Sequence, residues 1–251
     1  MNLKLPSFLT QSGKRKTKKD GVVRKLQIVS KEAPFQYVEA YKTLRTNINF
    51  IAASSGCKKI IVASSIPGEG KSNVAVNLCI TLAESGKKVL LIDCDLRKPV
   101  IHKYLRINRK SMGLTNILSG EAKASDVIVR FSDLNIDVIT AGVIPPNPAE
   151  LLGSARMTNL LDSVSEQYDY VIIDTPPASV VTDAAVLSTM VDGVLFVVSH
   201  AKATIESATL AKKNLEAANA NIIGAVLNGF DLKSTSKDSG YYYSYEYGYY
   251  K

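Results

Sequence analysis

The 251-residue chain predicts an α/β fold, a mostly parallel sheet with helices on both faces. Three observations carry that reading. Short apolar runs alternate with segments of helical periodicity from residue 34 to residue 228. The runs Ile60–Ala63, Val89–Ile92, Tyr170–Ile173 and Gly193–Val198 lack a polar alternation, as strands buried on both faces do. The first three of these pass at their C-terminal ends into Gly- or Asp-bearing loops, where open parallel sheets place ligands.

In chain order, residues 1–31 form a basic arm. Nine Lys and Arg stand there against one acid, Asp20, which accounts for the whole net charge of +8. The folded body is therefore neutral, and a nucleic-acid-binding face on it is not expected. The arm has the composition of a flexible segment, with apolar patches at Leu3–Leu9 and Val22–Val29, suited to an anionic lipid surface or an acidic partner. No run reaches the eighteen apolar residues of a membrane span and no signal peptide is evident, so a cytoplasmic protein is expected. Cys57, Cys79 and Cys94 lack metal-ligand spacing and read as reduced thiols. His102 and His200 read as ordinary surface or loop residues.

A body spanning 32–232 opens with a helix over Pro34–Ala53. Phe35, Val38, Tyr41, Leu44, Ile48 and Ile51 mark its buried side, and Glu39, Lys42 and Arg45 line another face. Next, Ile60–Ala63 runs into Ser64-Ser65-Ile66-Pro67-Gly68-Glu69-Gly70-Lys71-Ser72 and a helix over Asn73–Ala83. Gly68 and Gly70 allow close backbone approach, so that N–H groups and a helix N-terminus converge on phosphate oxygens. Lys71 adds a cation and Ser72 a hydroxyl suited to magnesium. The usual spacing would put a glycine at position 65, where this chain has Ser65.

The strand Val89–Ile92 delivers Asp93-Cys94-Asp95-Leu96-Arg97-Lys98-Pro99 to a sheet end, two carboxylates followed by two cations. A short helix closed by Gly120, a strand over Ile136–Thr140, an irregular loop through Pro145, Pro146 and Pro148, and a helix over Glu150–Val164 follow. Tyr170–Ile173 then ends in Asp174, an acid at a strand tip of the kind that holds magnesium beside a phosphate loop. A strand, a helix over Ile205–Ala218 and a last strand ending at Asn228 complete the body. Residues 233–251 form a tail whose polar start leads to Tyr241, Tyr242, Tyr243, Tyr245, Tyr247, Tyr249 and Tyr250. No core periodicity explains seven tyrosines in eleven residues, whereas a flexible segment can present phenols to an active site.

Taken together, the phosphate loop, the Asp93-x-Asp95-x-Arg97 stretch, the proline loop, Asp174 and the tyrosine tail resemble the bacterial tyrosine kinases of capsular and exopolysaccharide synthesis. The resemblance runs from about Pro34 to Lys251 and implies a P-loop NTPase fold and an ATP- and Mg2+-dependent autokinase. It implies a nucleotide loop of Pro67, Gly68, Glu69, Gly70, Lys71 and Ser72, with Asn228 reading the adenine edge. Ser72, Asp95 and Asp174 would hold Mg2+, Asp93 would take the phenol proton, and Arg97 would neutralise phosphate or position the incoming tail. Asp93 and Asp95 can exchange roles, since both lie on one strand end.

The tail tyrosines would be the acceptors, in trans. Glu39, Lys42 and Arg45 match a subunit-contact motif of the family's ring except that Lys42 replaces an arginine and lacks its bidentate fork. Further implied partners are a membrane activator of the chain-length-regulator type and a tyrosine phosphatase, with the kinase held at the inner face of the plasma membrane. The alternative is a partition or positioning ATPase acting on membrane or DNA. Such proteins carry a second lysine five residues before the loop lysine, where this chain has Ile66.

Overall fold

The structure, a computed structural model, describes residues 2–3, 27–108, 111–200 and 202–230. Its sheet contains β1 (Asn2–Leu3), β2 (Lys59–Ser64), β3 (Val89–Asp93), β4 (Val129–Phe131), β5 (Ile136–Ile139), β6 (Tyr170–Asp174), β7 (Gly193–Ser199) and β8 (Ile222–Asn228). Their order across the sheet is β1-β4-β5-β3-β6-β2-β7-β8. Among the described residues only the β4–β5 pair is antiparallel. The sheet is thus mostly parallel, as the sequence predicts.

Strand periodicity divides the core in two. Ile60, Val62, Leu91 and Ile172 face a core shared with α1 (Phe35–Ser55), α2 (Lys71–Glu84) and α3 (Ile101–Tyr104). Their neighbours Ile61, Ala63, Leu90, Ile92 and Ile173 face the other. There they meet α4 (Leu114–Ser119), α5 (Ala124–Val127), α6 (Pro148–Leu152), α7 (Ala155–Ser165), α8 (Asp183–Ser188) and α9 (Ile205–Ala217). Successive side chains of a strand point to opposite faces, so an uninterrupted apolar run needs this double cover. Helix α2 fits its place because Val74, Ala75, Leu78 and Leu82 are almost wholly buried. Burying each Leu contributes about 1.5–3 kcal/mol. Helix α1 stops at Gly56, whose φ of 70° is the left-handed conformation that glycine accepts readily.

Several boundaries differ from the sequence reading. The body begins before residue 32. Ile28 and Val29 are buried in the first core, and the Val29 N–H donates to Asn77 Oδ1 at 2.7 Å. The Gln27 carbonyl accepts from Tyr37 Oη (2.7 Å) and Asn77 Nδ2 (2.8 Å), which fastens this segment to α1 and α2. Asn2–Leu3 pairs with β4 in place of extending freely. Residues 4–26 of the arm and 231–251 of the tail lie outside the described residues.

The proline loop is shorter than expected, because Pro148 opens α6, a first-turn position where its missing N–H costs nothing. The expected single helix over Glu150–Val164 is two. Ser154 adopts an extended conformation after Gly153, and its side chain caps α7 by accepting from the Met157 N–H. His102 is buried, and not a surface residue. The ring of His200 meets Phe230 edge to face, with centroids 5.2 Å apart. Among the described residues no helix is long and apolar enough to cross a membrane.

Candidate active site

Strand β2 ends beneath the phosphate loop, and α2 starts at its far side with Gly70 as N-cap. Gly68 and Gly70 have φ of 81° and 90°. At Gly70 the requirement is twofold, because a Cβ there would also lie 2.2 Å from Asn228 Nδ2. That amide donates to the Glu69 carbonyl at 2.7 Å, so Asn228, at the end of β8, fastens the loop from outside. Lys202 does the same from the turn after β7, its Nζ donating to the Gly68 carbonyl at 3.1 Å.

Glu69 has an internal task. Its carboxylate is buried and accepts from Ser65 Oγ (2.8 Å), the Ile66 N–H (2.8 Å) and the Ser199 N–H (3.0 Å). The side chain therefore braces the loop, and only its backbone remains for a nucleotide. Ser65, standing where the usual spacing has glycine, supplies one of these donors. The loop's departure from that spacing and its internal brace are one feature.

The catalytic candidates meet at the N-terminus of α2. Lys71 Nζ lies 3.3 Å from Asp95 Oδ2, 3.6 Å from Asp174 Oδ1 and 3.4 Å from Ser72 Oγ. Ser72 Oγ donates to Asp174 Oδ2 at 2.6 Å. Parallel pairing of β3 with β6 sets Asp93 directly opposite Asp174. Asp93 is fully buried and accepts from the Asp95 N–H and the Ile101 N–H, both at 3.2 Å. Asp95 Oδ1 accepts from the Lys98 N–H at 2.9 Å. Asp95 is thus the carboxylate that reaches Lys71, while both oxygens of Asp93 are occupied by backbone donors.

Crowding shifts the titration of these groups. Burial, then repulsion from Asp174 and Asp95, pushes the Asp93 carboxyl well above the ordinary range. Burial also raises Asp174, against the opposing pull of Lys71 and Ser72. For Lys71 burial acts downward, but Asp174, Asp95 and Asp93 outweigh it and hold the ammonium above its usual range. A site with this surplus of acid is built for added positive charge.

Magnesium fits the donor set. Among the described residues, Asp174 Oδ1 is the buried side-chain oxygen with no hydrogen-bond donor. It lies beside the Ser72 hydroxyl and the Asp95 carboxylate. No group of three or more His, Cys, Asp and Glu among the described residues forms an all-protein metal cage. Magnesium keeps several waters and is held by one or two carboxylates together with substrate phosphates, so it does not require such a cage. Ser72, Asp95 and Asp174 are the residues that would hold it.

Other expected site residues lie elsewhere. Arg97 turns to Asp183, the first residue of α8, with Nε and Nη2 each 2.9 Å from a carboxylate oxygen. Asp183 is fully buried, and this pair ties the loop after β3 to the loop after β6. Sequence reasoning missed Asp183 as a partner, since 86 positions separate the two. It missed Lys202 as well, one lysine among many in the chain. On α1, Lys42 pairs with Glu39 within the helix at 2.7 Å and Arg45 donates to the Thr81 carbonyl at 3.1 Å. The seven tail tyrosines lie outside the described residues.

A family model described as an AAA domain matches residues 57–222. The chain is 42% identical over 212 residues to the tyrosine-protein kinase YwqD of Bacillus subtilis, covering 84% of this chain and 85% of the relative. The chain belongs to the bacterial tyrosine-kinase family. CapB of Staphylococcus aureus, named a putative tyrosine-protein kinase, is similar at 35% over 207 residues, 82% of this chain and 89% of the relative. Among solved structures, the kinase domain of the Escherichia coli tyrosine kinase Etk superposes with a TM-score of 0.80 at 33% identity. It covers 94% of this chain and 91% of that domain. Family membership agrees with the P-loop fold that the sequence predicts.

Proposed function

We propose that the chain is an ATP- and Mg2+-dependent protein-tyrosine autokinase that phosphorylates its own tail, Tyr241 to Tyr250, and thereby regulates capsular or exopolysaccharide synthesis and export. The observation that carries this reading is the convergence of one lysine, one hydroxyl and three carboxylates at the start of a helix entered through a loop with Gly68 and Gly70 at positive φ. Positioning and charge neutralisation are what phosphoryl transfer chiefly asks of a protein. Relatives named tyrosine-protein kinases, one of them CapB, support the acceptor and the pathway.

In the proposed reaction the loop amides and Lys71 hold the β- and γ-phosphates. A bound magnesium ion would neutralise charge on those oxygens. A tyrosine Oη attacks the γ-phosphorus, the bond from that phosphorus to the β–γ bridging oxygen breaks, and ADP leaves. The phenol proton passes to Asp93 or Asp95. Asp93 suits a proton acceptor in that burial and the neighbouring Asp174 and Asp95 hold its carboxyl well above the ordinary range, which makes it a stronger base. Its backbone hydrogen bonds must loosen for it to act, whereas Asp95 is already aimed at Lys71. An Asp93→Asn and an Asp95→Asn variant compared by nucleotide affinity and by transfer rate would assign the roles: the base loses rate alone, the metal holder loses both.

The acceptor is proposed to come from another copy. Mixing full-length Lys71→Met chains, which keep their tails, with full-length active chains tests this. Phosphate on the Lys71→Met chains establishes transfer between copies, and phosphate confined to active chains contradicts it. Assembly is proposed to be a ring using the Glu39, Lys42 and Arg45 face, placed at the inner membrane surface by an activator and reversed by a tyrosine phosphatase. Each phosphotyrosine adds roughly −1.5 to −2 charges. Full phosphorylation should therefore lower the assembled mass by light scattering, and an unchanged mass would count against a ring controlled by tail charge.

A further inference from the structure

The flank from which an acceptor reaches the phosphate loop follows from what closes the other flank. Lys202 on the Gly68 carbonyl and Asn228 on the Glu69 carbonyl cover the β7–β8 flank. Lys71 leans the opposite way, toward Asp95 beyond β3 and Asp174 on β6. An acceptor in line with the leaving oxygen therefore arrives over the ends of β3 and β5.

That region carries a built apolar rim. Parallel register pairs Ile92 with Ile139, so residues 140–144 emerge beside Asp93–Asp95. The N–H groups of Leu114 and Thr115 donate to the carbonyls of Thr140 and Ala141 at 2.7 and 3.0 Å. The Thr115 hydroxyl also bonds the Val143 carbonyl at 2.8 Å. Gly113 makes this join possible, since a Cβ there would lie 2.3 Å from the Gly142 nitrogen. On the two joined loops Met112, Val143 and Ile144 are 50%, 60% and 41% exposed. A single exposed apolar side chain needs no explanation, but three on adjoining hydrogen-bonded loops at the acceptor flank form a surface for a ligand.

We propose that Met112, Val143 and Ile144 form a docking rim that seats the segment 241–250 of this chain, so that one phenol reaches Asp93–Asp95. The inference rests on the autokinase reading above and names the surface that reading lacks. Composition selects the occupant. The segment holds seven tyrosines and one acid, Glu246, so its rings match an uncharged rim while their hydroxyls remain free. Its reach is sufficient. The eleven residues from Phe230 to Tyr241 extend about 36 Å, against roughly 24 Å for the five strand spacings from β8 to β5. Either a chain's own tail or a neighbour's can arrive, and the mixing experiment decides between them.

The test uses full-length chains with Val143→Ser and Ile144→Ser together, and separately Met112→Ser. These are exposed positions whose change leaves both cores intact. Affinity for ATP with magnesium is measured beside the concentration dependence of phosphorylating an added peptide of residues 241–251. The expected result is a peptide KM raised about tenfold, the effect of losing ~1.4 kcal/mol of contact, with kcat and ATP affinity unchanged. An unchanged peptide KM overturns the rim while the autokinase reading stands. Loss of ATP affinity together with KM also overturns it, since the loops would then be supporting the nucleotide site. No phosphorylation by the unsubstituted chain overturns the autokinase reading itself.

Discussion

Removing either half of the Arg97–Asp183 pair should destabilise the protein unequally. The pair consists of two charge-assisted hydrogen bonds at 2.9 Å, each of a kind that contributes about 1.5–3 kcal/mol when shielded from water. The shielding is one-sided: the side chain of Arg97 is 38% exposed and that of Asp183 not at all. In Asp183→Asn the guanidinium turns to solvent, and the discounted cost is about 1–2 kcal/mol. In Arg97→Ala a buried carboxylate is left without its cation, at about 3–5 kcal/mol. The difference, about 2 kcal/mol, corresponds to roughly 4–8 °C in Tm. The double variant Arg97→Ala/Asp183→Asn should be more stable than Arg97→Ala alone, because it removes the stranded charge. Thermal denaturation of the four chains reads all three values. Equal losses in the two single variants, or no recovery in the double, would refute the assignment of Asp183 as the dependent, buried partner.

Two further outcomes concern the loop and its carboxylates. Asp93 and Asp174 titrate above their ordinary range in the folded chain, so between about pH 4 and those raised values the folded state binds more protons than the unfolded. Their contribution to stability is therefore greatest below pH ~4 and declines as pH rises, by up to about 1.4 kcal/mol per pH unit for each titrating carboxyl. In nucleotide-free protein Asp93→Asn should flatten the fall in Tm from pH 5 to pH 8, and a slope identical to that of the unsubstituted chain would contradict this. Gly70→Ala combines a φ of 90° with a contact 2.2 Å from Asn228 Nδ2. It should lower affinity for ATP at least about tenfold, of order the ~1–2 kcal/mol of left-handed strain alone, as read by calorimetric titration; unaltered affinity would mean that the loop relaxes at no cost.

Features set by local spacing were legible in the sequence. Asp93, Asp95 and Asp174 stand at strand ends, and strand ends of a parallel sheet converge, so the acidic side of the site could be assembled without coordinates. Gly68, Gly70, Lys71 and Ser72 were legible for the same reason: a strand, a glycine turn and a helix start are consecutive in the chain. What escaped depends on tertiary placement. Glu69 reads as one more loop residue until Ser199, 130 positions away, is seen to donate to it. Arg97 reads as a phosphate ligand until Asp183 is found at its side. The antiparallel strand β4 is three residues long and only one of them is buried, too short for its alternation to show. The helix break at Gly153–Ser154 did have a local signal, a glycine followed by a capping serine, within an apolar periodicity that runs through it.

Mass-spectrometric mapping of phosphate on Tyr241 to Tyr250, after incubation with ATP and magnesium with and without the cytoplasmic segment of the proposed membrane activator, tests the central claim most directly. A full-length Lys71→Met chain runs in parallel. The expected result is phosphate on the tail that is absent from the Lys71→Met chain, since that change removes the cation facing Asp95 and Asp174. An unmodified tail alongside ATP hydrolysis that depends on Lys71 would contradict the autokinase and leave a P-loop ATPase of the positioning kind.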